Sequence, residues 1–300
     1  MREELFKNCT LCPRKCNVNR LEGKRGYCGM DSTIRAARAA LHMWEEPCIS
    51  GKKGSGAVFF SGCGMRCCFC QNRDIAIGDS GKEISVERLA EIFLELQEKG
   101  AANLNLVTGA HYVPHIISAL ELARGKGMNL PVVYNSSGYE SVETIRRLDG
   151  YVDVYLPDMK YMEPELAAAF SNARDYPQVA QSAIAEMLRQ TGPCQFFEDG
   201  YIKRGTIVRH LILPGHTKNS IAVLKYLYRT YGEDIFISVM NQYTPVWKNE
   251  KFPELNRKVT RREYEKVLDA AIELGIENGY FQEGETAEES FIPAFDYEGI

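Results

Sequence analysis

From residue 57 onward, six short apolar runs recur at 57–61, 103–107, 131–134, 152–156, 206–213 and 234–239, bounded by Gly, Pro, Asn or Asp. Runs of this length between turn residues suit strands buried within a sheet. Helical patterns separate them at 85–99, 113–124, 141–148, 178–190 and 217–231. The stretch 85–99 begins at Ser85, places Leu89, Ile92, Phe93 and Leu96 on one face and stops before Gly100, as a capped amphipathic helix does. Strands alternating with helices call for a parallel sheet. The expectation is an α/β fold in which six βα units curl into a partial TIM-type barrel, with its chemistry at the strand C-termini.

A Gly-rich loop from Ser50 to Gly56 divides the chain softly. Residues 1–52 read as a Cys-rich metal- or cluster-binding segment, 53–240 as the core, and 241–300 as a C-terminal extension packing on the barrel. That extension holds a helix near 261–274, a short run at Tyr280 and an acidic tail, read as a surface strap or loose end. Lys and Arg number 36 against 40 Asp and Glu, a net charge of −4, so no basic field favours nucleic acid or anionic lipid. No apolar run approaches the ~18 residues of a membrane span, and the start of the chain carries charges and cysteines where a secretion signal needs an apolar stretch. A cytoplasmic setting is expected. There, ten cysteines point to metal or cluster ligation rather than disulfides.

Nine of those ten cysteines lie in the first 70 residues. Just after the first apolar run stands Cys63-Gly-Met-Arg-Cys67-Cys-Phe-Cys70, a Cys-x3-Cys-x2-Cys triplet. Three thiolates on one tight loop can hold three irons of a [4Fe–4S] cube and leave the fourth iron open, whereas a closed electron-transfer cluster usually takes four. A structural zinc would want a fourth Cys or His close by, and Gln71, Asn72 and Arg73 follow instead. Cys68 lies inside the triplet and reads as packing. Upstream, Cys9, Cys12, Cys16 and Cys28 form a four-thiolate set suited to zinc or to a second Fe–S cluster, with Cys48 as an alternative fourth thiol. Free buried thiols are the plainer reading of these residues.

The triplet, in the loop after the first strand of a part-barrel, resembles the radical S-adenosylmethionine (SAM) superfamily. Cys9-Thr-Leu-Cys12-Pro-Arg-Lys-Cys16, Gly26-Tyr-Cys28-Gly29, Glu45-Glu-Pro-Cys48 and Gln242-Tyr243-x-Pro245 resemble its PflX-type subgroup, often labelled pyruvate formate-lyase-activating-enzyme-like. The resemblance implies that Cys63, Cys67 and Cys70 carry the catalytic [4Fe–4S] cluster. Its open iron chelates the methionine end of SAM, and one electron cleaves the sulfonium to methionine and a 5′-deoxyadenosyl radical. A reducing donor of flavodoxin or ferredoxin type is implied with it.

The same resemblance brings the backbone of Phe69 to the adenine and gives the SAM amino group to Thr108 Oγ and the carbonyls near Gly109. Thr108-Gly109-Ala110 stands where many relatives have Gly-Gly-Glu. Asp158-Met-Lys160 looks like the Asp-x-Lys that faces SAM in glycyl-radical-enzyme activases, and Asn135 matches an acidic position of theirs. A surface ion pair is the simpler reading of Asp158 and Lys160. Arg209 interrupts an apolar strand and needs an anion, which the SAM carboxylate would supply; His210 then faces the other way and packs. His111, Tyr112, Gln242 and Tyr243 read either as substrate-pocket lining or as packing.

Three functions follow: hydrogen abstraction from a small molecule or peptide, activation of a partner enzyme by installing a glycyl radical, or Fe–S electron transfer or scaffolding without catalysis. Extra activase cysteines usually follow the triplet in a ferredoxin-like insert. Here they precede it, and the loop after Cys70 is too short for one.

Overall fold

All six apolar runs form strands in the computed structural model, which describes residues 4–77, 80–282 and 293–300. They are β2 (Ser55–Phe60), β4 (Leu104–Val107), β5 (Val132–Ser136), β6 (Val154–Pro157), β8 (Ile202–Leu211) and β9 (Phe236–Met240). The short run at Tyr280 adds β10 (Gly279–Phe281). These seven pair in parallel in the order β2-β4-β5-β6-β8-β9-β10. The fold is the expected α/β partial barrel.

Two further strands extend the sheet beyond β2. β1 (Ile34–His42) pairs antiparallel with β2 over most of its length, and β3 (Lys82–Ile84) pairs antiparallel with β1. β1 carries no strand pattern in the sequence, because Ile34-Arg-Ala-Ala-Arg-Ala-Ala-Leu-His42 is rich in alanine, the best helix former and a residue depleted in strands. Pairing with the fully buried β2 overrides that preference. The Cys-rich segment thus contributes a strand to the main sheet. β7 (Gln195–Phe196) is a two-residue hairpin partner of β8.

Helices cover the sheet. In Val86–Glu98 the Ser85 hydroxyl caps the Arg88 amide at 3.1 Å, and Leu89, Ile92, Phe93 and Leu96 are buried as the periodicity requires. Arg261–Leu274 packs on Thr217–Tyr231. At the chain's end, Ala39 donates to the Glu298 carbonyl (2.8 Å) and Tyr297 to that of Ala37 (3.1 Å). The tail is therefore a strap along β1, fastened by Arg38 to Asp296 and Glu298. The rest of the acidic tail, 283–292, lies outside the described residues. Among the described residues no helix is long and apolar enough to cross a membrane.

Candidate active site

The C-terminal ends of the parallel strands enclose a cavity of about 240 Å³, and Cys63, Cys67 and Cys70 all line it. Left-handed backbone at Gly62 (φ 90) and Arg66 (φ 54) folds their loop tightly. A side chain at 62 would collide with Met30 Cγ at 2.4 Å, so glycine is required on both counts. Gly62 donates to the Ile75 carbonyl (2.7 Å) and Cys68 to that of Phe170 (2.8 Å), pinning the loop to its surroundings. Ser171 Oγ donates to Cys67 Sγ at 3.0 Å. Burial pushes the Cys67 thiol up to about 11; it raises Cys70 too, and negative charge on Cys67 and Cys63 raises it further.

A buried ion network lines the same cavity. Asp158, just past β6, accepts from Lys160 Nζ (2.5 Å) and from Arg209 Nε (3.1 Å). Arg209 Nη2 donates to Asn135 Oδ1 (2.6 Å) and Nη1 to Glu45 Oε2 (3.1 Å). Glu45 Oε1 in turn accepts from Asn105 and Asn135, each at 3.1 Å. The side chains of Asp158, Lys160, Arg209 and Glu45 are at most 16 % exposed, so this is no surface ion pair. Burial opposes each charge, yet the partners outweigh it: Lys160 and Arg209 hold Asp158 below the usual carboxylate range, and Asp158 and Cys67 hold Lys160 above the usual amine range. Arg209 is raised in the same way, by Asp158 and Glu45 against burial.

Phe69, Thr108 and Asn135 line the same cavity. Thr108 takes φ 61, rare for a β-branched residue, while its amide donates to the Asn135 carbonyl at 2.9 Å. Strain of this kind gathers at functional sites. Among the described residues no three His, Cys, Asp or Glu side chains converge as a single metal ion would need. Three thiols line the cavity, and Cys68, the fourth on their loop, does not, which suits the separated irons of a cube with one iron left open.

Residues 57–227 match the sequence profile of the radical SAM superfamily. The chain belongs to the radical SAM superfamily. It is 30 % identical over 276 residues to the uncharacterized protein MJ0674 of Methanocaldococcus jannaschii, covering 90 % of this chain and 75 % of that one. A pyruvate formate-lyase-activating enzyme of Clostridium pasteurianum is 26 % identical over 113 residues, 36 % of this chain and 46 % of that enzyme. Among solved structures, native anSMEcpe with bound AdoMet superposes with a TM-score of 0.50 at 12 % identity, covering 71 % of this chain and 57 % of that one, and shares the fold. The chain spans about half the length of the first solved structures it matches.

Several expectations for the radical SAM pocket need revision. Arg209 does not await an outside anion, because Asp158 and Glu45 already answer it. Gly109 is not among the residues that line the cavity, and a side chain there would meet Ile116 Cδ1 at 2.6 Å. His111 and Tyr112 are core: His111 Nε2 pairs with the Ser61 carbonyl at 2.7 Å, and its ring lies 4.2 Å from that of Tyr112. Gln242 lines the cavity, whereas the Tyr243 hydroxyl turns inward to the Leu255 carbonyl (2.7 Å). His210 packs as alternation required, with Nδ1 against the Met159 carbonyl at 2.7 Å. Cys68 lines a neighbouring cavity, shared with Cys67 and Cys70 and walled by Arg66, Arg73 and Trp247.

Cys48 is not an alternative ligand for the N-terminal set. The short helix Pro47–Ser50 tucks it among Val133, Val154, Ile207 and Cys194. Sequence reasoning missed Glu45 as a site residue. Its one signal was the Glu45-Glu46-Pro47 stretch, which says nothing of an arginine 164 positions away.

Proposed function

We propose that this chain reductively cleaves SAM and abstracts hydrogen from a small molecule or peptide. One observation carries the reading: three cysteine thiols and a buried Asp158–Lys160–Arg209 network face the same cavity at the strand ends. Cys63, Cys67 and Cys70 would hold a [4Fe–4S] cluster, which supplies the electron that splits the sulfonium into methionine and a 5′-deoxyadenosyl radical. A reduced flavodoxin- or ferredoxin-type protein is the donor.

The protein's own residues position and exclude. Asp158, charged and fixed by two cations, is an acceptor for the SAM ammonium, and Lys160, between Asp158 and Cys67, is the cation closest to hand for the SAM carboxylate. Thr108 and Asn135 offer further polar atoms from neighbouring strand ends. The Phe69 ring, held edge-on by Phe170 and Tyr243, makes the apolar side of the adenine site. His42, Trp44, Asn72 and Gln242 line the remainder, where a substrate would meet the radical.

The test is anaerobic. Reconstituted protein with SAM and dithionite should release 5′-deoxyadenosine, and Cys67→Ala should abolish that release; equal turnover by the variant would overturn the assignment. A second reading, activation of a glycyl-radical partner, is favoured by the likeness to the Clostridium pasteurianum activating enzyme. A protein loop must then enter the cavity.

A further inference from the structure

Cys67 and Cys70 line two cavities. One is the strand-end cavity that Cys63 shares with Asp158, Lys160 and Arg209. The other, of about 370 Å³, is lined by none of those four residues. A molecule seated in it reaches the wall of the triplet without entering the place where SAM would sit.

This second cavity is cationic, in a chain whose net charge is −4. Arg66, Arg73, Lys248 and Lys251 line it against one carboxylate, that of Glu250. Among the described residues none of the four forms an ion pair. Other surface cations are answered: Arg38 by Asp296 and Glu298, Arg88 by Glu91 and Glu95, Arg189 by Asp149 and Glu186. Here the guanidinium groups lie on aromatic rings instead, Arg73 5.3 Å from the centroid of Trp247 and Arg66 4.9 Å from that of Tyr27. Arg66 Nε is buried and has no hydrogen-bond partner among the described residues. A ring face steadies a cation without neutralising it, so the positive field is left facing outward. Arg73, Lys248 and Lys251 are exposed. Trp247 adds an indole, tied to the triplet loop by Nε1 donating to the Cys68 carbonyl at 3.1 Å. Exposed cations beside a tryptophan suit a protein partner, with charge steering the encounter and the ring anchoring it.

We propose that this cationic cavity is the docking surface for the electron donor, a small acidic electron-transfer protein, and that the electron enters past Cys67 and Cys70 while SAM occupies the other cavity. The inference rests on the radical SAM reading, which requires one electron from outside. That electron passes from the donor's reduced cofactor to the cluster, oxidising the one and reducing the other, and no bond forms or breaks in the transfer. Acidic groups around the donor's cofactor would answer the cations that this chain leaves unpaired.

Docking is read apart from SAM cleavage, by fluorescence anisotropy of a labelled acidic flavodoxin titrated with the anaerobically reconstituted full chain. Affinity should fall about tenfold as sodium chloride rises from about 50 to about 300 mM. The triple variant Arg73→Glu, Lys248→Glu, Lys251→Glu should bind about tenfold more weakly at low salt and lose most of that salt dependence. Stopped-flow absorbance should show flavodoxin hydroquinone reducing the variant's cluster about tenfold more slowly, while dithionite reduces both proteins to the same extent. Should the triple variant hold less iron, Lys248→Gln with Lys251→Gln gives a smaller loss of affinity in the same direction. Unaltered affinity in the variants, or salt-independent binding by the wild type, overturns the proposal. Displacement of flavodoxin by millimolar inorganic phosphate at fixed ionic strength also overturns it, and would make the cavity a small-anion site. Failure to release 5′-deoxyadenosine with dithionite counts against the SAM reading instead, since the anisotropy titration needs no SAM.

Discussion

Arg209 on β8 reaches back across 164 positions of sequence to Glu45, with Nη1 3.1 Å from Oε2. The same guanidinium holds Asp158 and Asn135, so all three of its nitrogens are occupied by protein groups. Glu45 therefore sets where Arg209 stands, and through it Asp158. Removing a carboxylate from a buried pair leaves the cation partly unanswered. Glu45→Ala is expected to cost on the order of 3 kcal/mol of stability and to weaken SAM binding. Urea unfolding and calorimetric titration with SAM check both, and a variant as stable as the wild type would remove Glu45 from the network.

Gly138, in the turn after β5, takes φ 76, and a Cβ there would lie 2.1 Å from the Asp158 carbonyl oxygen. The chain must move at the residue that pairs with Lys160 and Arg209. Gly138→Ala should therefore weaken SAM binding as well as stability. Gly150 is the control, since it has a similar φ of 80 and nothing within 4 Å of its Cβ position. Gly150→Ala should cost only the ~1 kcal/mol of a left-handed alanine and leave SAM affinity alone. Equal SAM affinities in the two variants would refute the steric argument.

The parallel sheet was legible because buried strands and amphipathic helices write different periods into the chain, and Leu89, Ile92, Phe93 and Leu96 fell where the period put them. β1 was not legible, since alanine and arginine carry no strand signal and only the edge of β2 makes them one. The cavity-lining triplet showed in its spacing, Arg209 as a charge in an apolar strand, and Asp158 and Lys160 through their resemblance to the activase Asp-x-Lys. Glu45 stayed hidden because its meaning lies in a contact between distant segments. Cys48 misled for the opposite reason: its neighbours in sequence belong to the site, while its side chain packs in the core.

Ser171, fully buried, donates to Cys67 Sγ at 3.0 Å and shares a 2.7 Å hydrogen bond with the Tyr161 hydroxyl. A hydrogen bond to a cluster sulfur stabilises the reduced, more negative state. Ser171→Ala should lower the reduction potential of the reconstituted cluster while leaving its iron content unchanged. A spectroelectrochemical titration reads the shift, and an unmoved midpoint would mean that the hydroxyl does not tune Cys67.

His210 is wholly buried, with one ring nitrogen on the Met159 carbonyl and the other without a hydrogen-bond partner among the described residues. Burial pushes its pKa down to about 4; nearby Lys160 also lowers it, while the Met159 carbonyl and Asp158 work the other way. The unfolded chain protonates this imidazole near the ordinary value of 6.5, before the folded chain does. The neutral ring's contribution is thus fully present above pH 6.5 and lost as pH falls from 6.5 through about 4, since across that window the unfolded state binds more protons. The loss amounts to about 3 kcal/mol at its fullest. His210→Gln keeps a donor for Met159 without a titrating ring, so the difference in unfolding free energy between variant and wild type should shift in the variant's favour as pH falls from 7 to 4.5. Urea denaturation at three pH values across that range measures it, and a difference constant with pH would show that His210 does not remain neutral in the fold.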